Sequence, residues 1–150
     1  MKMTRSLFAA VMLAGALALA ACGQPSGGEG GAAGPITVTP DGEALAYTPG
    51  AITAKAGTPV VIKFNNTSTA QQHNLVVVNG GEDVAAKVNE EAVNVGAPDY
   101  VPSIPEVLAS GPMVAPGGSK DITFTAPAAG TYTFLCTYPG HYAAGMKGTL

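Results

Sequence analysis

The sequence predicts an all-β fold, a Greek-key β-sandwich with one short helical excursion. Three observations predict it. Apolar and polar residues alternate with period two in several short runs, Gly- and Pro-containing turns separate those runs, and only one stretch carries helical spacing. Many short strands with such turns argue for two packed sheets within one domain, residues 36–150.

Taken in order, Ile36-Thr-Val-Thr-Pro alternates as a half-buried strand does. Leu45 to Ala56, interrupted at Pro49-Gly50, predicts a bent or two-part strand. Val60 to Asn66 and His73 to Val78 are rich in β-branched residues, and Asn65-Asn-Thr-Ser-Thr69 between them supplies turn chemistry. In Asp83 to Val95 the apolar residues Val84, Val88, Ala92 and Val95 recur at helical spacing. Glu82 and Asp83 stand where the helix dipole favours negative charge, and Gly96-Ala-Pro98 stops the helix. Tyr100 to Ser110, with Pro102 and Pro105, reads as a loop, and Pro116-Gly-Gly-Ser119 as a turn. Lys120 to Thr125 alternates again with Ile122 and Phe124 on one face. In Thr131 to Cys136 the same period sends Tyr132, Phe134 and Cys136 to one side, directing the thiol toward the aromatic core.

The segment before residue 36 reads differently. Lys2 and Arg5 form a positive start, and Leu7 to Leu19 is an apolar run shorter than the roughly 20 residues that span a bilayer. Leu19-Ala-Ala-Cys22 matches a bacterial lipoprotein box, which makes residues 1–21 a signal peptide and Cys22 the lipidated first residue of the mature chain. Lipidation is favoured over a free Cys22, because an exposed unpaired thiol is a liability in an oxidising compartment. Residues 22–35 are Gly-rich and read as a flexible tether, with an r.m.s. reach of about 20 Å and a stretched limit of about 45 Å. The expected location is exported: lipid-anchored at the extracytoplasmic face of a bacterial membrane, periplasmic or at the cell surface.

Without Lys2 and Arg5, the mature chain has five basic residues against ten acidic ones and no basic cluster. Nucleic-acid binding is disfavoured, since phosphate contacts need concentrated Lys and Arg. With Cys22 lipidated and Cys136 on a metal, no disulfide is possible. A domain of about 115 residues must then rely on its core and on the metal.

The chemistry concentrates in Cys136-Thr-Tyr-Pro-Gly-His141-Tyr-Ala-Ala-Gly-Met146, where a thiol, an imidazole and a thioether sit at equal spacing in one loop. The second histidine of the chain, His73, opens a strand-like run upstream. A thiolate, two imidazoles and a weak thioether are the donor set of a mononuclear blue-copper site. Zinc would usually fill a tetrahedron with more Cys or His. Each residue has a plainer explanation taken singly, as core filler or a hydrogen-bonded side chain. Four such coincidences in a chain with two His and two Cys are improbable.

Cys-x4-His-x4-Met, followed by Lys147-Gly-Thr-Leu150, resembles the ligand loop of the cupredoxins, the type 1 blue copper proteins. It is most similar to that of azurins and, more closely, the auracyanins of photosynthetic bacteria. The likeness extends over His73-Asn74, Ile122-Thr-Phe-Thr-Ala-Pro127 and Gly130-Thr-Tyr-Thr-Phe-Leu-Cys136, so it covers residues 36–150. The resemblance implies one copper ion cycling between Cu(I) and Cu(II), with Cys136, His73 and His141 as strong ligands and Met146 as the weak axial one. It implies that Asn74 bridges the ligand-bearing segments and hydrogen-bonds near the sulfur. Pro139 and Gly140 shape the loop, and Tyr138, where the family often has Phe, shields the site with its hydroxyl toward solvent. The family usually carries the final strand a residue or two further, so fraying is expected at Gly148–Leu150.

The expected function is a membrane-tethered one-electron carrier between respiratory or photosynthetic complexes. The resemblance implies a quinol-oxidising complex as donor and a reaction centre, cytochrome or oxidase as acceptor, served by a monomer. An enzyme of the nitrite-reductase or multicopper-oxidase kind needs further histidines, and none remains after His73 and His141. A copper chaperone or storage lipoprotein is the alternative, though it favours open Cys-x-x-Cys or Met/His-rich ligation over a closed four-ligand site.

Overall fold

The computed structural model describes residues 34–150; the segment expected to be a signal peptide and nearly all of the expected tether, Cys22 included, lie outside the described residues. Eight strands form two four-stranded sheets. The first sheet has the order β2-β1-β3-β6, from β1 (Ile36–Asp41), β2 (Ala44–Thr48), β3 (Pro59–Asn65) and β6 (Ser119–Thr125). The second has the order β5-β4-β7-β8, from β4 (Val76–Val78), β5 (Val107–Ser110), β7 (Thr133–Leu135) and β8 (Lys147–Thr149). All pairs are antiparallel except β1 and β3, which run parallel with Ile36 opposite Ile62. The chain crosses between sheets at β3–β4, β5–β6 and β6–β7, giving the expected sandwich. Among the described residues no helix is long and apolar enough to cross a membrane.

The alternation seen in the sequence sorts the two faces. Val38, Ile62, Phe64, Val77, Ile122 and Phe134 fill the space between the sheets, with Tyr47 packed against Phe64 and Phe134. β4 and β7 are buried on both faces. Val76, Val78 and Leu135 point away from the sandwich into a second cluster with Ala85 and Val88 of the helix α1 (Glu82–Val95). The helix therefore covers the second sheet, and it lies in the stretch of chain where the sequence predicts the excursion. Glu82 and Asp83 occupy its first turn, and Gly96, at φ +75°, ends it.

Four expectations change. The second half of Leu45–Ala56 is not a strand: after β2 the chain makes one bridge, Ala51 to Thr149, and Ile52 donates to the Thr149 carbonyl at 2.8 Å. Val95 does not complete the buried stripe; the stripe ends at Ala92, and Val95 is exposed. Tyr100–Ser110 is not all loop. Pro102 and Pro105 precede β5, whose backbone is free to pair with β4. The C-terminus is not frayed: Leu150 and Tyr132 exchange two backbone hydrogen bonds of 2.8 Å. β8 approaches so closely that a Cβ on Gly148 would lie 2.3 Å from the Phe134 ring.

Candidate metal centre

Cys136 and Met146 sit beside the ends of β7 and β8, His141 lies in the loop between them, and His73 lies upstream of β4. Cys136 follows β7 directly, and its N–H donates to the Met146 carbonyl at 3.0 Å. Between them the loop closes on itself: the N–H of His141 donates to the Tyr138 carbonyl and the N–H of Met146 to the His141 carbonyl, both at 3.0 Å. The turn needs Gly140 at φ +86°, a region that costs other residues energy, while Pro139 beside it is exposed. His73 is not the first residue of a regular strand. It lies ahead of β4, held by an isolated bridge in which its N–H donates to Val114 (3.2 Å) and its carbonyl accepts from Val114 (2.8 Å).

These elements bring three donor atoms together in the interior. The Nδ1 atoms of His73 and His141 are 3.1 Å apart, and the Cys136 sulfur lies 3.9 Å and 3.5 Å from them. A circle through the three atoms has a radius of about 2 Å, the length of a metal–imidazole bond. Burial holds both imidazoles neutral, His73 down to about 4 and His141 below its usual value, so lone pairs are available at the centre. Burial also raises the Cys136 thiol, opposed by the backbone N–H groups of Asn74 and Tyr138 and by the Tyr47 hydroxyl. A cation at the centre would favour the thiolate over the thiol. Met146 is fully buried in the same apolar cluster as Cys136, and its thioether would serve there as a further, weak soft donor to the metal. One soft sulfur, two imidazoles and a thioether fit copper.

The surrounding groups hold the ligand segments rigidly. Asn74, fully buried, donates to the Thr137 hydroxyl (2.8 Å) and the Asp99 carbonyl (3.0 Å), and accepts from the Thr137 N–H (2.9 Å). Its side chain thus ties the residue after His73 to the residue after Cys136. The sulfur is met by the Asn74 backbone N–H, while the amide is committed to Thr137 and Asp99. Tyr138 is half-buried, and its ring leans on His141 with centroids 4.7 Å apart.

The chain belongs to the plastocyanin/azurin family of copper-binding proteins. The model of that family matches residues 35–150. Auracyanin-A of Chloroflexus aurantiacus is 42% identical over 162 residues, covering 100% of this chain and 98% of its own length. Dithionite-reduced auracyanin from the photosynthetic bacterium Roseiflexus castenholzii superposes with a TM-score of 0.76 at 57% identity, covering 79% of this chain and 96% of its own. An azurin from Methylomonas sp. strain J gives a TM-score of 0.66 at 27% identity, covering 77% of this chain and 95% of its own. His73, Cys136, His141 and Met146 form the family's type 1 copper site in this chain.

Several supporting residues carried no motif. Tyr47 donates its hydroxyl to the Asn74 carbonyl at 2.5 Å; its period-two place in β2 marks it as inward-facing but not as a site residue. Asn66 donates to the Gln71 and Val114 carbonyls, both at 2.8 Å, bracing the loop before His73 and its bridge partner. Glu43 clasps the same loop through Ser68 (2.8 Å) and the Thr69 N–H (2.6 Å), and the Thr69 contact holds its carboxyl below the usual range. Tyr142 packs against the helix-side cluster and donates to Glu82 at 2.8 Å. Burial first, and then that hydrogen bond, push its hydroxyl up to about 12.

Proposed function

We propose that this blue copper protein is a one-electron carrier, tethered to the extracytoplasmic face of a membrane through Cys22 and not an enzyme. The observation that carries the reading is the buried donor triangle of His73, His141 and Cys136, braced by Asn74, with Met146 buried in the same apolar cluster as Cys136. Copper, when bound, supplies the single electron by alternating between Cu(I) and Cu(II). The residues keep their positions while charge at the centre changes, because each ligand segment is fixed by backbone hydrogen bonds and by the Asn74–Thr137 pair. Small movement means little reorganisation, which favours fast transfer. Burial of all four side chains limits the access of water and of any substrate to the centre.

His141 is the ligand nearest solvent, and exposed Pro139, Gly140, Ala143 and Ala144 flank it without charge. Such a patch supports brief docking, since its desolvation is cheap and no ion pair slows release. A quinol-oxidising complex as donor, and a reaction centre, cytochrome or oxidase as acceptor, suit a monomeric carrier held at the membrane. The sequence box Leu19-Ala-Ala-Cys22 supports the anchor.

An optical spectrum of the copper-loaded protein tests the centre. Intense thiolate-to-copper absorption is expected, absent in Cys136→Ser, together with reversible one-electron cycling. Only faint bands, or no reversible cycling, would overturn the carrier. Membrane fractionation tests the tether: Cys22→Ala should move the protein to the soluble exported fraction, and a mutant still in the membrane would refute lipid anchoring.

A further inference from the structure

We propose that Tyr100 is a positioning residue for the ligand His141, acting through Tyr138. Among the described residues Tyr100 is the one non-glycine residue with positive φ, at +54°. That region suits Gly or Asn, so a tyrosine there sits against its own backbone preference. Three neighbours impose the conformation. Its N–H donates to the Gly96 carbonyl at the helix end (3.1 Å), and its carbonyl accepts from the Thr137 hydroxyl (2.6 Å). The preceding residue, Asp99, accepts from Asn74 at its carbonyl (3.0 Å) and from the Met113 N–H at its carboxylate (3.1 Å).

What this arrangement secures is the ring. Tyr100 meets Tyr138 edge-on, with centroids 5.4 Å apart and planes at 68°. Tyr138 in turn leans on His141 at 4.7 Å and 48°, and His141 on His73 at 4.8 Å. Edge-to-face contacts at such separations are attractive. Tyr138 is only half-buried, so without Tyr100 its ring is free to turn toward solvent and leave one face of His141 unsupported. A residue chosen for the backbone alone would be glycine. Strain that the surroundings enforce, at a residue whose side chain abuts a ligand's neighbour, is the pattern expected where position matters to function.

The test compares Tyr100→Phe, Tyr100→Ala and Tyr100→Gly. In the metal-free protein, nuclear Overhauser contacts between the Tyr138 and His141 rings should persist in Tyr100→Phe and be lost in both truncations. With copper bound, the truncations should alter the relative intensities of the thiolate-to-copper bands and slow electron self-exchange by up to about tenfold. Tyr100→Phe should match wild type in all three. Tyr100→Gly relaxes the backbone and guards against misfolding as the explanation. Ring contacts and band intensities unchanged in both truncations, with only the melting temperature lowered, would reduce Tyr100 to a structural residue and overturn the proposal. The rate readout alone rests on the carrier reading: wild-type protein that fails to cycle reversibly sinks that reading, while the ring contacts still decide the role of Tyr100.

Discussion

Replacing Asn74 by Ala should loosen the copper site without removing a ligand. The side chain makes three hydrogen bonds, two buried and one part-buried, and the substitution removes them together. Each is worth about 1 kcal/mol net at most, and the abandoned Thr137 N–H, which is buried, adds a desolvation cost of similar size. A loss of about 3 to 4 kcal/mol follows for the metal-free protein. For a domain of this size that lowers the melting temperature by roughly 10 °C or more. Copper affinity should fall by about 10- to 100-fold, as for other residues that orient ligands. Urea unfolding of metal-free wild type and mutant measures the first effect, and competition with a chelator of known affinity measures the second. Thr137→Val, alone and combined with Asn74→Ala, completes a double-mutant cycle, which should be strongly non-additive because the two side chains share bonds. A loss below about 1 kcal/mol, or fully additive mutants, would refute the view that this pair locks the two ligand segments together.

Other outcomes follow from the same geometry. Met146→Gln should retain copper but lower the reduction potential, because a harder oxygen donor stabilises Cu(II); voltammetry showing an unchanged or raised potential would remove Met146 from the axial position. Metal-free protein should lose stability as pH falls from about 6.5 toward 4, since His73 is held neutral in the fold, with its pKa down to about 4, but accepts a proton when unfolded. That one group accounts for about 3 kcal/mol, fully lost below pH 4, and copper-loaded protein should resist the same titration until the metal leaves. Unfolding midpoints equal at pH 7 and pH 4.5 without metal would contradict the burial argument. Ala143→Glu and Ala144→Lys should slow electron transfer to a physiological partner in stopped-flow measurements while leaving colour and potential nearly unchanged; wild-type rates in both would place docking elsewhere.

The sequence by itself determined the donor set, because a thiol, two imidazoles and a thioether at fixed spacing are chemistry written in residue types. It also determined most strands, since a half-buried strand must alternate, and it placed Cys136 inward on the same period as Phe134. The helix was legible from Val84, Val88 and Ala92, whose spacing matches one face. What it did not determine depends on partners distant in the chain. Val107–Ser110 becomes a strand only because β4 lies beside it, and the nearby prolines masked this. Val95 has the right spacing for burial but nothing opposite it to be buried against. Tyr47, 27 residues before Asn74, and Tyr100, 38 residues before Tyr138, reach the metal centre only after the sheets and the helix have packed. Ligand identity is a local property of side-chain chemistry, whereas the rigidity of the ligands comes from hydrogen bonds and ring contacts that exist only once remote segments have been brought to the same end of the sandwich.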